Sequence, residues 1–135
     1  MEKRVLLVED DARFREDFAR ALGGALATER LEVDFVGAGS LAEARARLQE
    51  GGLDAALIDV GLPDGDGLDL VREINDGAAS PGAPIPTLVL TANLETSVAA
   101  RAMEAGARGA LSKVVSAPET VDAVKRLIDS AHSEA

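Results

Sequence analysis

The sequence has no cysteine among its 135 residues. That excludes a disulfide framework, a thiolate metal site and a thiol nucleophile, and it suits a reducing compartment such as the cytoplasm. Positive charge is also scarce, with 14 Lys and Arg against 24 Asp and Glu and a formal net charge of −10. A surface of that sign repels phosphate backbones and anionic lipid before contact is made, so direct nucleic-acid binding is not expected. Long apolar runs are missing. The run at residues 5–8, behind Met1-Glu2-Lys3-Arg4, is too short for a signal peptide, and nothing approaches the ~20 apolar residues that span a bilayer. Secretion and membrane insertion are disfavoured. The one histidine, His132, stands in a polar C-terminal stretch and reads as a solvated side chain. Gly37-Ala38-Gly39 lacks the third glycine of a dinucleotide fingerprint, and no phosphate-binding G-x-x-x-x-G-K-[ST] string occurs, so nucleotide binding has no support.

What is there fits one domain, 1–135, with 47% hydrophobic and 28% charged residues. Apolar runs at 5–8, 53–58, 87–90 and 109–111, and a weaker one at 33–36, read as strands buried on both faces because they lack polar alternation. Between them the period changes. Phe14, Phe18 and Leu22 share one side of a first helix, whose end Gly23-Gly24 should weaken. Ser40 and Glu43 form a capping box for a second helix with a thin stripe of Leu41, Arg45 and Leu48, stopped by Gly51-Gly52. A third helix is expected from Gly67 or Leu68 to Asn75, and a fourth over 96–105 before Gly106. A fifth follows a second capping box, Ser116 with Glu119, with Pro118 in its first turn and Val121, Val124, Leu127 and Ile128 inward. Residues 76–86, with Pro81, Pro84 and Pro86, read as an irregular surface loop. Five strands alternating with five helices predict an α/β fold, a doubly wound parallel sheet covered on both faces.

Four of the runs end in residues that carry chemistry: Glu9 and Asp10, then Asp59, Thr91 and Lys113. In an open parallel sheet the carboxyl ends of the strands share one edge, where ligands bind, so these side chains should converge. Three carboxylates gathered there repel one another unless a cation is present, and hard oxygen ligands favour Mg²⁺. One carboxylate can then attack phosphorus, with Lys113 and Thr91 donating to the phosphoryl oxygens. Taken singly, Asp59 would read as a cap or turn former, Thr91 as a strand-end hydroxyl and Lys113 as a snorkelling surface lysine. Their convergence decides for the site. Asp11 reads as the cap of the first helix. Asp64-Gly65-Asp66-Gly67 reads as a turn and not a calcium loop, because Leu68 and Asn75 occupy the fifth and twelfth positions.

The strings Val5-Leu6-Leu7-Val8-Glu9-Asp10-Asp11, Leu57-Ile58-Asp59-Val60-Gly61-Leu62-Pro63-Asp64-Gly65-Asp66-Gly67, Val89-Leu90-Thr91-Ala92 and Ala105-Gly106-Ala107-Arg108-Gly109-Ala110-Leu111-Ser112-Lys113 resemble the response-regulator receiver family of two-component signalling over essentially the whole chain. The resemblance implies a flavodoxin-like sheet of strand order 2-1-3-4-5. It implies Asp59 as phosphoacceptor, with Asp10, Asp59 and the Gly61 carbonyl as Mg²⁺ ligands and Glu9 completing the acidic pair. Thr91 becomes the switch hydroxyl and Lys113 the phosphate-pairing lysine. The phosphoryl source would be a histidine kinase or phosphotransfer protein, and the product would act on a downstream protein partner; a homodimer is possible.

Two positions depart from the family pattern. Ala110 stands where an aromatic residue is common, and Val114 follows Lys113 where a cis proline is common. A trans bond is expected there, because a non-proline cis bond costs about 2.5–4 kcal/mol. The departures leave open a degenerate receiver that binds partners without phosphorylation. A second rival is an aspartyl-phosphate phosphohydrolase, although such enzymes usually carry a second acid where Gly61 stands.

Overall fold

The structure, a computed structural model, describes residues 2–78, 84–92, 95–113 and 117–133, without the side chains of residues 117 and 130–133. Its main sheet contains β1 (Lys3–Val8), β2 (Val33–Ala38), β3 (Ala55–Asp59), β4 (Thr87–Thr91) and β5 (Ala110–Ser112). The helices between and after them are α1 (Ala12–Ala27), α2 (Leu41–Glu50), α3 (Gly67–Asn75), α4 (Thr96–Ala105) and α5 (Ala117–Ser133). The strands are all parallel and lie in the order β2-β1-β3-β4-β5. This is the expected doubly wound order, and it reverses beside β1, so the chain crosses first to one side of the sheet and then to the other.

The strands read as unbroken apolar runs because each face of the sheet has its own core. Leu6 and Val8 point to the side where Leu41, Leu48, Leu68, Ile74 and Ala102 of α2, α3 and α4 pack. Their neighbours Val5 and Leu7 point to the other, against Leu22 and Leu26 of α1 and Val124 and Ile128 of α5. A period of two along the strand therefore feeds two layers.

Three local details refine the sequence reading. Gly23 and Gly24, expected to weaken the end of the first helix, stand near that end, and the helix continues past them to Ala27. Leu22 and Leu26 on either side of the pair are buried, and that burial outweighs the roughly 1 kcal/mol per glycine of lost helix propensity. In α2 the buried stripe is Leu41, Ala44 and Leu48. Arg45 instead turns outward to make a two-pronged ion pair with Glu73 of α3, at 2.9 and 2.7 Å. The capping box at Ser40 is half formed: Ser40 Oγ accepts from the Glu43 amide at 3.1 Å, while Glu43 reaches back to the Gly39 amide at 3.3 Å. The box at Ser116 and much of the 76–86 loop lie outside the described residues.

The turn at 61–66 is a short antiparallel ribbon, Gly61–Leu62 against Gly65–Asp66. It works harder than a turn. Asp64 accepts from the Leu41 and Ala42 amides at 2.8 and 3.1 Å, capping α2 from a distant part of the chain, and Asp66 caps α3 through Leu68 N at 2.8 Å. Two glycines set the approach of the helices. A Cβ on Gly67 would lie 2.0 Å from the Asp59 carbonyl oxygen, and Gly106 ends α4 at φ +111°, with its missing Cβ only 2.5 Å from Asn75 Cγ.

The Leu41 amide, and then the Ala42 amide, hold the Asp64 carboxyl below its ordinary range. A lowered folded-state value contributes stability that is complete above the unfolded value of about 3.9 and is lost as pH falls through the folded one. Asp64→Ala should therefore melt below wild type at neutral pH, and the gap between the two should close under acid, as thermal unfolding followed by circular dichroism would record.

Candidate functional site

Because all five strands run the same way, the residues that follow them collect along one edge. Glu9 and Asp10 follow β1, Asp59 and Thr91 are the last residues of β3 and β4, and Lys113 follows Ser112 of β5. Carboxylate oxygens of Glu9, Asp10 and Asp59 all lie within 4.8 Å of one another. Lys113 reaches back past β4 and places Nζ 3.1 Å from Asp59 Oδ2 and 2.5 Å from Glu9 Oε2. Its own amide donates to the Thr91 carbonyl at 2.8 Å, which ties β5 to β4 at the site. Glu9 is only 2% exposed and Asp59 6%, whereas Asp10 opens to solvent. The sequence-expected side chains are thus gathered as anticipated, with Thr91 buried at the adjoining strand end.

The charges are coupled. Burial raises the Glu9 carboxyl above its ordinary value; Lys113 and the Asp11 amide pull it back, and the neighbouring Asp59 charge pushes it up again. Burial lowers Lys113, but its contacts with Glu9 and Asp59 outweigh that loss and leave it raised. The ammonium meets the buried Glu9 Oε2 as an ion pair. A crowded set of hard oxygens from three carboxylates, with the Lys113 ammonium against only two of them, fits a small divalent cation of the Mg²⁺ type. Gly61 stands beside the cluster with its amide 3.4 Å from Asp59 Oδ1, and a Cβ there would meet nothing within 4 Å.

The β1–α1 loop holds the acids in place. Glu9 Oε1 accepts from the Asp11 amide at 3.1 Å. Asp11 in turn caps α1, accepting from Arg13 N and Phe14 N at 3.0 and 3.1 Å, as the sequence reading expected. Two participants were not foreseen. Arg15 Nη1 donates to the Glu9 carbonyl, and its side chain lies against Gly37, where a Cβ would sit 3.0 Å from Arg15 Nε. Phe14, read only as part of a core stripe, covers Lys113 with its ring, centroid to Nζ 5.1 Å. The glycine at the end of β2 was the available sign of the first; spacing carries no sign of the second, which depends on how α1 crosses the sheet. Ala110 pairs with Val89 and is half buried, and Val114 lies outside the described residues.

Comparison with known proteins identifies the family. The family model described as "Response regulator receiver domain" matches residues 5–125. The chain is 36% identical over 124 residues to the swarming motility regulation protein RssB of Serratia marcescens, covering 90% of this chain and 51% of that protein. It is 36% identical over 123 residues to the DNA-binding transcriptional activator DevR/DosR of Mycobacterium tuberculosis, covering 90% and 52%. The chain therefore spans about half the length of these relatives. Among solved structures, a putative response regulator from Chloroflexus aurantiacus superposes with a TM-score of 0.80 at 31% identity, covering 96% of this chain and 99% of that one. The match over residues 5–125 and the shared fold agree, and the chain belongs to the response regulator receiver domain family.

Proposed function

We propose that Asp59 accepts a phosphoryl group from a histidine kinase or phosphotransfer protein, with Mg²⁺ bound beside it, and that the modified domain switches a surface read by a downstream protein. The observation that carries this reading is the position of the Asp59 carboxylate: buried at a strand end, 3.1 Å from the Lys113 ammonium and grouped with Glu9 and Asp10 within 4.8 Å. Asp10, Asp59 and the Gly61 carbonyl would hold the ion, with Glu9 beneath them. When bound, Mg²⁺ supplies positive charge against the phosphoryl oxygens and the crowded carboxylates.

The chain's own residues do the rest. An Asp59 carboxylate oxygen attacks phosphorus in line, forming the Asp59 O–P bond as the donor's P–N bond breaks, and the donor imidazole leaves with the electron pair. Phosphoryl transfer asks the protein chiefly for position and for donors to the equatorial oxygens. Lys113 exchanges its bond to Asp59 for one to a phosphoryl oxygen, and the Thr91 hydroxyl donates to another. The group adds about −1.5 to −2 charges at neutral pH. Since Thr91 and Lys113 terminate adjacent strands, their response is carried into the loops that lead to α4 and α5. A coupling of about 1–3 kcal/mol there is enough to change partner affinity severalfold or more. A cysteine-free chain serving a kinase of this kind fits a cytoplasmic setting.

Incubation with acetyl phosphate and Mg²⁺ followed by intact-mass measurement should add one phosphoryl group to the wild type and none to Asp59→Asn, with chelation of the metal preventing the gain. Lys113→Ala should retain the acceptor but react on the order of 10²-fold more slowly, the usual scale for losing one charge-stabilising donor. An unmodified wild type, or an Asn variant modified as readily as wild type, defeats the proposal. Rapid multiple turnover on small phosphate esters would point instead to a hydrolase.

A further inference from the structure

Lys113 must do two things that conflict. It holds Glu9 and Asp59 together before reaction, yet on the phosphoacceptor reading, on which this inference rests, it must then release Asp59 for a phosphoryl oxygen. A lysine has a flexible stem of four methylenes, and nothing in that stem restricts where the ammonium goes once a carboxylate partner changes. Here the Phe14 ring lies over the ammonium, 5.1 Å from centroid to Nζ. Phe18, one helical turn on, stacks against Phe14 at 5.4 Å and an interplanar angle of 27°, so the ring is backed by a second ring on the same helix.

The contact also closes a circuit. Glu9 Oε1 accepts from the Asp11 amide, Asp11 Oδ1 accepts from the Phe14 amide, the Phe14 ring covers Lys113, and Lys113 returns to Glu9 Oε2. The loop bearing the acids thereby also sets the ring that faces the cation. A π face attracts an ammonium over a broad area and does not prescribe one direction, unlike a carboxylate lone pair. We infer that Phe14 is a positioning residue: its ring face guides the Lys113 ammonium and keeps it at the phosphoacceptor while the cation passes from Asp59 Oδ2 to a phosphoryl oxygen.

Two measurements test this. In metal-free protein, the ring current should move the Lys113 ε-methylene protons upfield in wild type and Phe14→Tyr, and the displacement should vanish in Phe14→Leu. With acetyl phosphate and Mg²⁺, Phe14→Leu should gain the phosphoryl group about two- to thirty-fold more slowly, and Phe14→Tyr should restore the wild-type rate. Leu22→Ala removes buried packing further along the same helix and controls for lost packing; it should lower the melting temperature but preserve the rate. An unshifted lysine in the wild type, a Phe14→Leu rate equal to wild type, or equal slowing in the Tyr and Leu variants would overturn the inference. A wild type that takes up no phosphoryl group would count against the acceptor reading, while the metal-free spectrum would still decide whether Phe14 seats Lys113.

Discussion

Like charges held at the end of a buried sheet dominate this molecule. Within 4.8 Å and at an effective dielectric near 20, each pair of carboxylates, if both are ionised, repels by about 3.5 kcal/mol or more. Lys113 offsets one such charge of the three, and much else at this edge serves to keep the ammonium and the acids in register. The Glu9 amide is fixed to the Ala38 carbonyl at 2.9 Å and the Lys113 amide to that of Thr91 at 2.8 Å. The acidic surface as a whole adds to the demand for a cation, since the rest of the chain is also short of positive charge.

The same strand direction that creates the crowding makes it useful. An antiparallel sheet would have scattered Asp10, Asp59 and Lys113 between two edges. Parallel strands and right-handed crossovers deliver them to one, and the helices on both faces then keep water from the strand interiors. The β3–α3 ribbon adds a tie to this frame, since Asp64 and Asp66 begin two different helices within three residues of each other.

Much of this was legible in the chain because it depends on local pattern. The helix over residues 96–105 was bracketed by Gly106, whose left-handed backbone favours glycine, and α5 could be read from Val121, Val124, Leu127 and Ile128, all buried. Convergence of Glu9, Asp10, Asp59 and Lys113 followed from parallel topology alone. What could not be read was set by contacts across the fold. Gly23-Gly24 marked a weakened helix end, but local propensity says nothing of the buried Leu26 beyond it, which carries α1 on to Ala27. Arg45 fell at stripe spacing, but Ala44 is small enough to face the sheet, while Arg45 finds Glu73 on another helix. Asp64 as a cap for α2, 23 residues away, has no local signature.

The two glycines flanking the ribbon have opposite tolerances. At position 67 any side chain would run into the main chain of Asp59, so substitution there would displace the aspartate it packs against. At position 61 the space is open. A mutational path that varies the second while holding the first would alter the surroundings of the acidic cluster without disturbing the footing of Asp59, and so offers this scaffold a route to a different ligand preference at that edge.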